Sequence, residues 1–86
     1  MFMYKITFSK QSNKTLRKMP RNLALKIAER IKKLAQNPEK MPNVKKLTDH
    51  PGYRMRIGDW RIIYLINYNE KSIHIIKIKT RGRVYK

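Results

Sequence analysis

Apolar and polar residues alternate at the start of the chain. Phe2, Tyr4, Ile6 and Phe8 fall on one side of an extended segment, and Met3, Lys5 and Thr7 fall on the other. A period of two predicts a strand with one apolar face. Ser9 is a suitable N-cap for a short polar helix running to about Lys18, anchored mainly by Leu16. Pro20 then stands where the first turn of a second helix begins. Leu23, Ala24, Ile27, Ala28, Ile31, Leu34 and Ala35 recur at spacings of three and four. That is the stripe of a helix lying on a core, and Asn37-Pro38 ends it.

Pro38, Pro42, Pro51 and Gly52 make 38–52 either a loop or a weak edge strand around Val44-Lys45-Lys46-Leu47. Beyond it the period returns to two. Tyr53–Ile57, Trp60–Asn67 and Ser72–Lys79 are rich in Ile, Tyr and Trp, and short polar segments separate them: Gly58-Asp59 and Tyr68-Asn69-Glu70-Lys71. The expected class is α+β in the order β-α-α-β-β-β, with two N-terminal helices packed on a small, mainly antiparallel sheet. The pattern leaves the neighbour of the first strand open. At 86 residues the chain 1–86 is one domain.

Charge changes this picture. Twenty-two Lys and Arg face five Asp and Glu, a formal net charge of +17. An ordinary soluble surface mixes the two signs, whereas here only Glu29, Glu39, Asp49, Asp59 and Glu70 interrupt the cations. Such an excess calls for a polyanionic partner: RNA, DNA or an acidic protein. The chain has no cysteine, which excludes disulfides, thiolate nucleophiles and Cys-type zinc sites. No apolar run reaches the roughly 20 residues of a membrane span, and no signal-peptide profile opens the chain. A soluble, cytoplasmic domain without membrane association is expected.

The cations have an address. If Gly58-Asp59 is a two-residue turn, Ile57 pairs with Trp60, Arg56 with Arg61, Met55 with Ile62 and Arg54 with Ile63. One face then carries Tyr53, Met55, Ile57, Trp60, Ile62 and Tyr64 towards the helices, and the other carries Arg54, Arg56 and Arg61. Like charges opposite one another destabilise a strand pair, and a phosphate gripped by guanidinium groups relieves the repulsion. Ile63 and Leu65 share that second face, and a simple register adds Ile76 and Ile78. Either an acidic, amphipathic protein segment or the chain's own C-terminal tail would cover such a surface. The tail contributes Arg81, Arg83 and Tyr85, a phenol among cations suited to stacking on a base.

Conventional catalytic sets are missing. No pair of acids, metal-ligand spacing or phosphate loop appears, so no metal or cofactor is expected. His50 and His74 stand alone, the first in a loop before the hairpin and the second within a strand. RNA scission remains open to a basic surface, because the 2′-hydroxyl is the substrate's own nucleophile. The protein need only align ribose and phosphate, move a proton and stabilise developing charge. Arginine clamps but does not act as a base at neutral pH. Crowding by other cations favours the neutral form of a lysine, which makes Lys46, Lys77 and Lys79 candidate proton acceptors and, with Arg83, candidate substrate-binding residues.

Tyr53-Arg54-Met55-Arg56-Ile57-Gly58-Asp59-Trp60-Arg61-Ile62-Ile63-Tyr64 resembles the hairpin of the RelE/ParE toxin superfamily, and Arg81 followed by Val84-Tyr85 resembles that family's C-terminal ending. The resemblance implies the toxin of a type II toxin–antitoxin pair, neutralised by a cognate acidic antitoxin that wraps the sheet and helices. The RelE-like branch cleaves mRNA in the ribosomal A site, in contact with 16S rRNA, by metal-free 2′-hydroxyl attack. Its functional residues carry over to Arg54, Arg56, Arg61, Arg81 and Tyr85. RelE-like hairpins often have lysines where this chain has Arg54 and Arg56, and Thr80 stands where many relatives have a histidine. The alternative it implies is the ParE-like branch, which shares the scaffold and inhibits DNA gyrase without nuclease chemistry.

Overall fold

The computed structural model describes residues 3–80, so Phe2 of the expected first strand lies outside the described residues. Strand β1 (Lys5–Phe8) leads into helices α1 (Lys10–Lys18) and α2 (Arg21–Gln36) and a single 3₁₀ turn at Pro38–Lys40. Strands β2 (Val44–Lys46), β3 (Tyr53–Ile57), β4 (Trp60–Asn67) and β5 (Ser72–Thr80) complete the sheet. Its order is β1-β5-β4-β3-β2, parallel between β1 and β5 and antiparallel elsewhere. The first strand thus finds the last as its neighbour. The α+β class and the order of the other elements agree with the sequence reading, and β2 is a fourth strand after the helices, formed where the sequence left a loop or a weak edge strand open.

Both helices lie on one face of the sheet. Ile27, Ile31 and Leu34 of α2 meet Met55, Ile57, Ile62, Tyr64, Ile73, Ile75 and Ile78, and all are buried. The ends of the expected apolar stripes depart from the pattern: Ala28 and Phe8 are exposed. Ala28 lies at the margin of the helical stripe, and Phe8 is the last residue of an edge strand, so neither reaches the core. Pro20 is the N-cap of α2 rather than its first helical residue. Gly52 is required by close approach, because a Cβ there would stand 2.8 Å from the Tyr64 carbonyl oxygen.

The largest correction concerns β5. Ile63 pairs with Lys77 but Tyr64 pairs with Ile75, so Ile76 is an extra, unpaired residue at a bulge. A bulge shifts the alternation by one position. Ile78 therefore turns into the core opposite Ile62 instead of joining the apolar residues of the open face, and Lys77 and Lys79 emerge on that open face. The physical driver is burial: uninterrupted alternation would put two lysines under the helices and leave Ile78 in water.

Helix α1 holds the bulge in place. Ser9 caps the helix by accepting from the Ser12 amide at 3.1 Å, and its hydroxyl donates to the Ile76 carbonyl. Gln11 treats Ile78 as a neighbouring strand would. Its Nε2 donates to the Ile78 carbonyl at 3.0 Å, and its Oε1 accepts from the Ile78 amide at 3.1 Å. The fully buried Ser12 hydroxyl donates to the Ile75 carbonyl. Where β1 ends at Phe8, three side chains of the α1 start continue the hydrogen bonding of β5. Buried backbone groups need such partners.

Tyr64 is buried and stacks on Tyr53 with ring centroids 5.7 Å apart, and its hydroxyl is buried without a hydrogen-bond partner among the described residues. Burial, followed by the neighbouring Tyr53 and Tyr68 phenols, pushes its ionisation well above the ordinary tyrosine value of 10.0. An unfolded chain releases this proton first, so the stability linked to Tyr64 is complete below about pH 10 and declines above it. Tyr64→Phe is expected to match or exceed the native stability at neutral pH, because it removes an unpartnered hydroxyl, and to lose less stability at alkaline pH. Denaturant midpoints at both pH values check this. Ser9→Ala removes a cap and a bulge contact together. The expected cost is about 1–2 kcal/mol, read in thermal melts as a fall of roughly 4–8 °C per kcal/mol.

Candidate functional site

The Gly58-Asp59 turn has the two-residue length that the hairpin register requires. Gly58 adopts φ +59°, a left-handed value natural to glycine at the first central position of such a turn. The pairs Ile57–Trp60, Arg56–Arg61, Met55–Ile62 and Arg54–Ile63 all form. Residues directly opposite share a face, so Arg54, Arg56 and Arg61 stand together on the side of the sheet away from the helices. The bulge adds two more cations, with Lys79 opposite Arg61 and Lys77 opposite Ile63.

The result is a pair of cationic rows crossing the sheet. One row runs Arg56, Arg61, Lys79; the next runs Lys45, Arg54, Ile63, Lys77. Neighbouring strands are only about 4.8 Å apart, so each row concentrates positive charge across three or four strands. All five acids lie outside the strands, on α2, the 3₁₀ turn and the connecting loops. Arg56 is exposed, whereas Arg54 and Arg61 are half-buried. The Arg61 Nε is buried and has no hydrogen-bond partner among the described residues. A guanidinium nitrogen in that condition has given up water without receiving an acceptor.

Beside the rows, Asn43, Val44, Lys45, Arg54 and Arg56 line a cleft of about 360 Å³. The Arg56 amide donates to the Asn43 carbonyl at 3.0 Å, and Asn43 takes the left-handed conformation, φ 61°, that asparagine tolerates. Lys45 is a member that sequence reasoning missed. Its signal was available in the two-residue alternation of β2 against Arg54. That same register sends Lys46 to the helix side, opposite Tyr53, where its Nζ lies 5.1 Å from the ring centroid. Lys46 is therefore not brought together with the arginines.

Apolar residues continue the face away from the cations. Leu65 pairs with His74, and both line a depression of about 670 Å³ that also includes Pro51 and Ser72. The His74 Nδ1 and the Thr7 hydroxyl share a hydrogen bond of 2.7 Å, and the His50 Nδ1 accepts from the Gly52 amide at 2.9 Å. Each histidine is thus engaged in local structure. Arg81, Arg83 and Tyr85 lie outside the described residues. Among the described residues no cluster of His, Asp and Glu could hold a metal ion, and no helix is long and apolar enough to cross a membrane.

Comparison with known proteins converges on one family. Residues 6–85 match the family model for the ParE toxin of the type II toxin–antitoxin system parDE. The structure of an archaeal RelE–RelB complex from Pyrococcus horikoshii is similar at 33% identity and a TM-score of 0.82, covering 95% of this chain and 99% of that one. The toxin–antitoxin complex RelBE2 of Mycobacterium tuberculosis is similar at 21% identity and 0.81, covering 96% and 97%. The intact RelBE complex of E. coli follows at 18% identity and 0.79, covering 93% and 99%. The last two are likenesses of fold. No curated protein sequence matches the chain.

The charge geometry has a direct thermodynamic consequence. Arg56→Gln removes one arm of a like-charge cross-strand pair, a relief of about 0.2–1 kcal/mol. At low ionic strength its Tm is expected to rise. Inorganic phosphate is expected to raise the native Tm more than that of the variant, because an anion bound only by the folded state stabilises it. Thermal melts with and without phosphate measure both effects.

Proposed function

The chain belongs to the RelE/ParE superfamily of type II toxin–antitoxin toxins, and from that premise we propose that it is a ribosome-dependent mRNA endonuclease. The observation that carries this reading is the unneutralised Arg56–Arg61 pair with its orphaned Arg61 Nε, flanked by Lys79. The substrate 2′-oxygen attacks the adjacent phosphorus and the bond to the 5′-oxygen breaks. The products are a 2′,3′-cyclic phosphate and a 5′-hydroxyl. The 2′ proton leaves to a base, and the departing 5′-oxygen takes up a proton.

In this scheme Arg54 and Arg56 orient the scissile phosphate, and Arg61 stabilises the charge that accumulates on it. Such preorganised donors contribute most where charge develops and water is excluded. Lys79, which pairs with Arg61, and Lys77, one row further along, are the candidate proton acceptors of this scheme. Arg81 and Tyr85 take the charge-stabilising and stacking roles that the family resemblance gives them, with Arg83 contributing to phosphate binding. An acidic antitoxin is the protein partner. Its acids would meet the cationic rows and its apolar residues would meet Ile63 and Leu65. Complexes of similar toxins with RelB antitoxins support that assignment.

The family match to ParE toxins favours a second reading, inhibition of DNA gyrase without nuclease chemistry. A translation reaction analysed by primer extension separates the two. Cuts within codons that require ribosomes are expected, and Arg61→Ala should slow them about 10²–10³-fold while the circular dichroism spectrum stays unchanged. Intact message together with a supercoiling defect would replace nuclease action with gyrase inhibition.

A further inference from the structure

The hairpin tip has a second side. Trp60 and Arg61 are adjacent in β4, so their side chains leave on opposite faces of the sheet. On the helix side, a pocket of about 350 Å³ lies between α2 and the β3–β4 turn. Leu23, Lys26 and Arg30 line it from α2, and Gly58, Asp59 and Trp60 line it from the turn. The helix residues are spaced at three and then four, which puts them on one face. Trp60 and Arg30 are half-buried, while Lys26 is exposed. Gly58 faces open space at the turn, since a Cβ there would have no heavy atom within 4 Å.

We propose that this pocket binds one nucleotide of an RNA strand, with the base stacked on Trp60 and the phosphate held by Lys26 and Arg30. A flat aromatic wall joined to two cations is the pairing that single-stranded nucleic acid requires, because every base offers a π-face and every linkage an anion. Arg30 can also lie flat against a base. Asp59 supplies an acceptor for a base amino group or a ribose hydroxyl. The assignment rests on the RNA reading of the arginine face and extends it. A strand whose scissile phosphate lies on Arg56 and Arg61 would continue round the tip, and its flanking nucleotide would enter the Trp60 pocket. The hairpin would grip RNA from both sides.

Trp60 is the sole tryptophan, so its fluorescence reports on this pocket directly. With excitation at the red edge of its absorption, adenosine and guanosine monophosphates are expected to quench it at concentrations on the order of millimolar. Ribose 5-phosphate, which lacks a base, should not. The Lys26→Ala/Arg30→Ala double variant should bind the nucleotides at least about tenfold more weakly with an unchanged circular dichroism spectrum. Lys14→Ala, an exposed lysine of α1 remote from this pocket's lining, should leave the quenching as it is. Equal quenching by ribose 5-phosphate, or undiminished quenching in the double variant, would overturn the proposal. Quenching by polyglutamate but by no nucleotide would also overturn it, in favour of a protein-docking pocket. Failure of the nuclease reading is separable: a chain that stacks nucleotides here yet leaves messages intact keeps the pocket and loses the reaction.

Discussion

A two-residue turn at Gly58-Asp59 obliges Arg56 to stand across from Arg61. The two like-charged side chains leave neighbouring strands on the same face, and no acid on any strand intervenes. Everything proposed for this face follows from that enforced proximity. The hairpin accepts the repulsion because its other face buries Met55, Ile57, Ile62 and Tyr64. Slipping the register by one residue would send that apolar set into water. Core burial therefore fixes a charge arrangement that electrostatics alone would disperse.

The bulge at Ile76 enlarges this site from four cations to six, adding Lys77 and Lys79 to Arg54, Arg56, Arg61 and Lys45. It is a nonlocal device, because its extra residue is tied to Ser9 and its neighbour Ile78 is tied to Gln11, both about 67 residues earlier in the chain. The start of α1 acts as the continuation of the edge strand and hands the partnership of β5 from backbone to side chains. Structural residues far from the arginines thus decide whether Lys77 and Lys79 stand on the open face or in the core. An alteration at Ser9 or Gln11 acts on the site through register, without touching it.

The two faces of the hairpin divide the work by chemistry. The open face is cationic towards the tip and becomes apolar around Leu65, which suits a partner carrying both acids and hydrophobic side chains. The helix side is a packed core that opens at the tip, beside Trp60. One ribbon thereby presents arginines and lysines on one surface and Trp60 on the other. The tip is the place where a bound strand could reach both.

Local information in the chain was sufficient for the helices, the hairpin and the clustering of Arg54, Arg56 and Arg61. Capping by Ser9, the stripe through Ile27 and Leu34, and the turn at Gly58 are each decided within a few residues. The same is true of the +17 charge and the hairpin motif that marks the family. Tertiary structure decided the rest. Only the sheet as a whole pairs β1 with β5 in parallel, because nothing in a short alternating segment names its neighbour. Only burial under α1 and α2 selects the bulge that turns Ile78 inward and Lys77 and Lys79 outward. Lys45 joins the arginines and Lys46 leaves them because the β2–β3 register says so. Alternation gives each strand two faces, and long-range packing determines which of them becomes the inside.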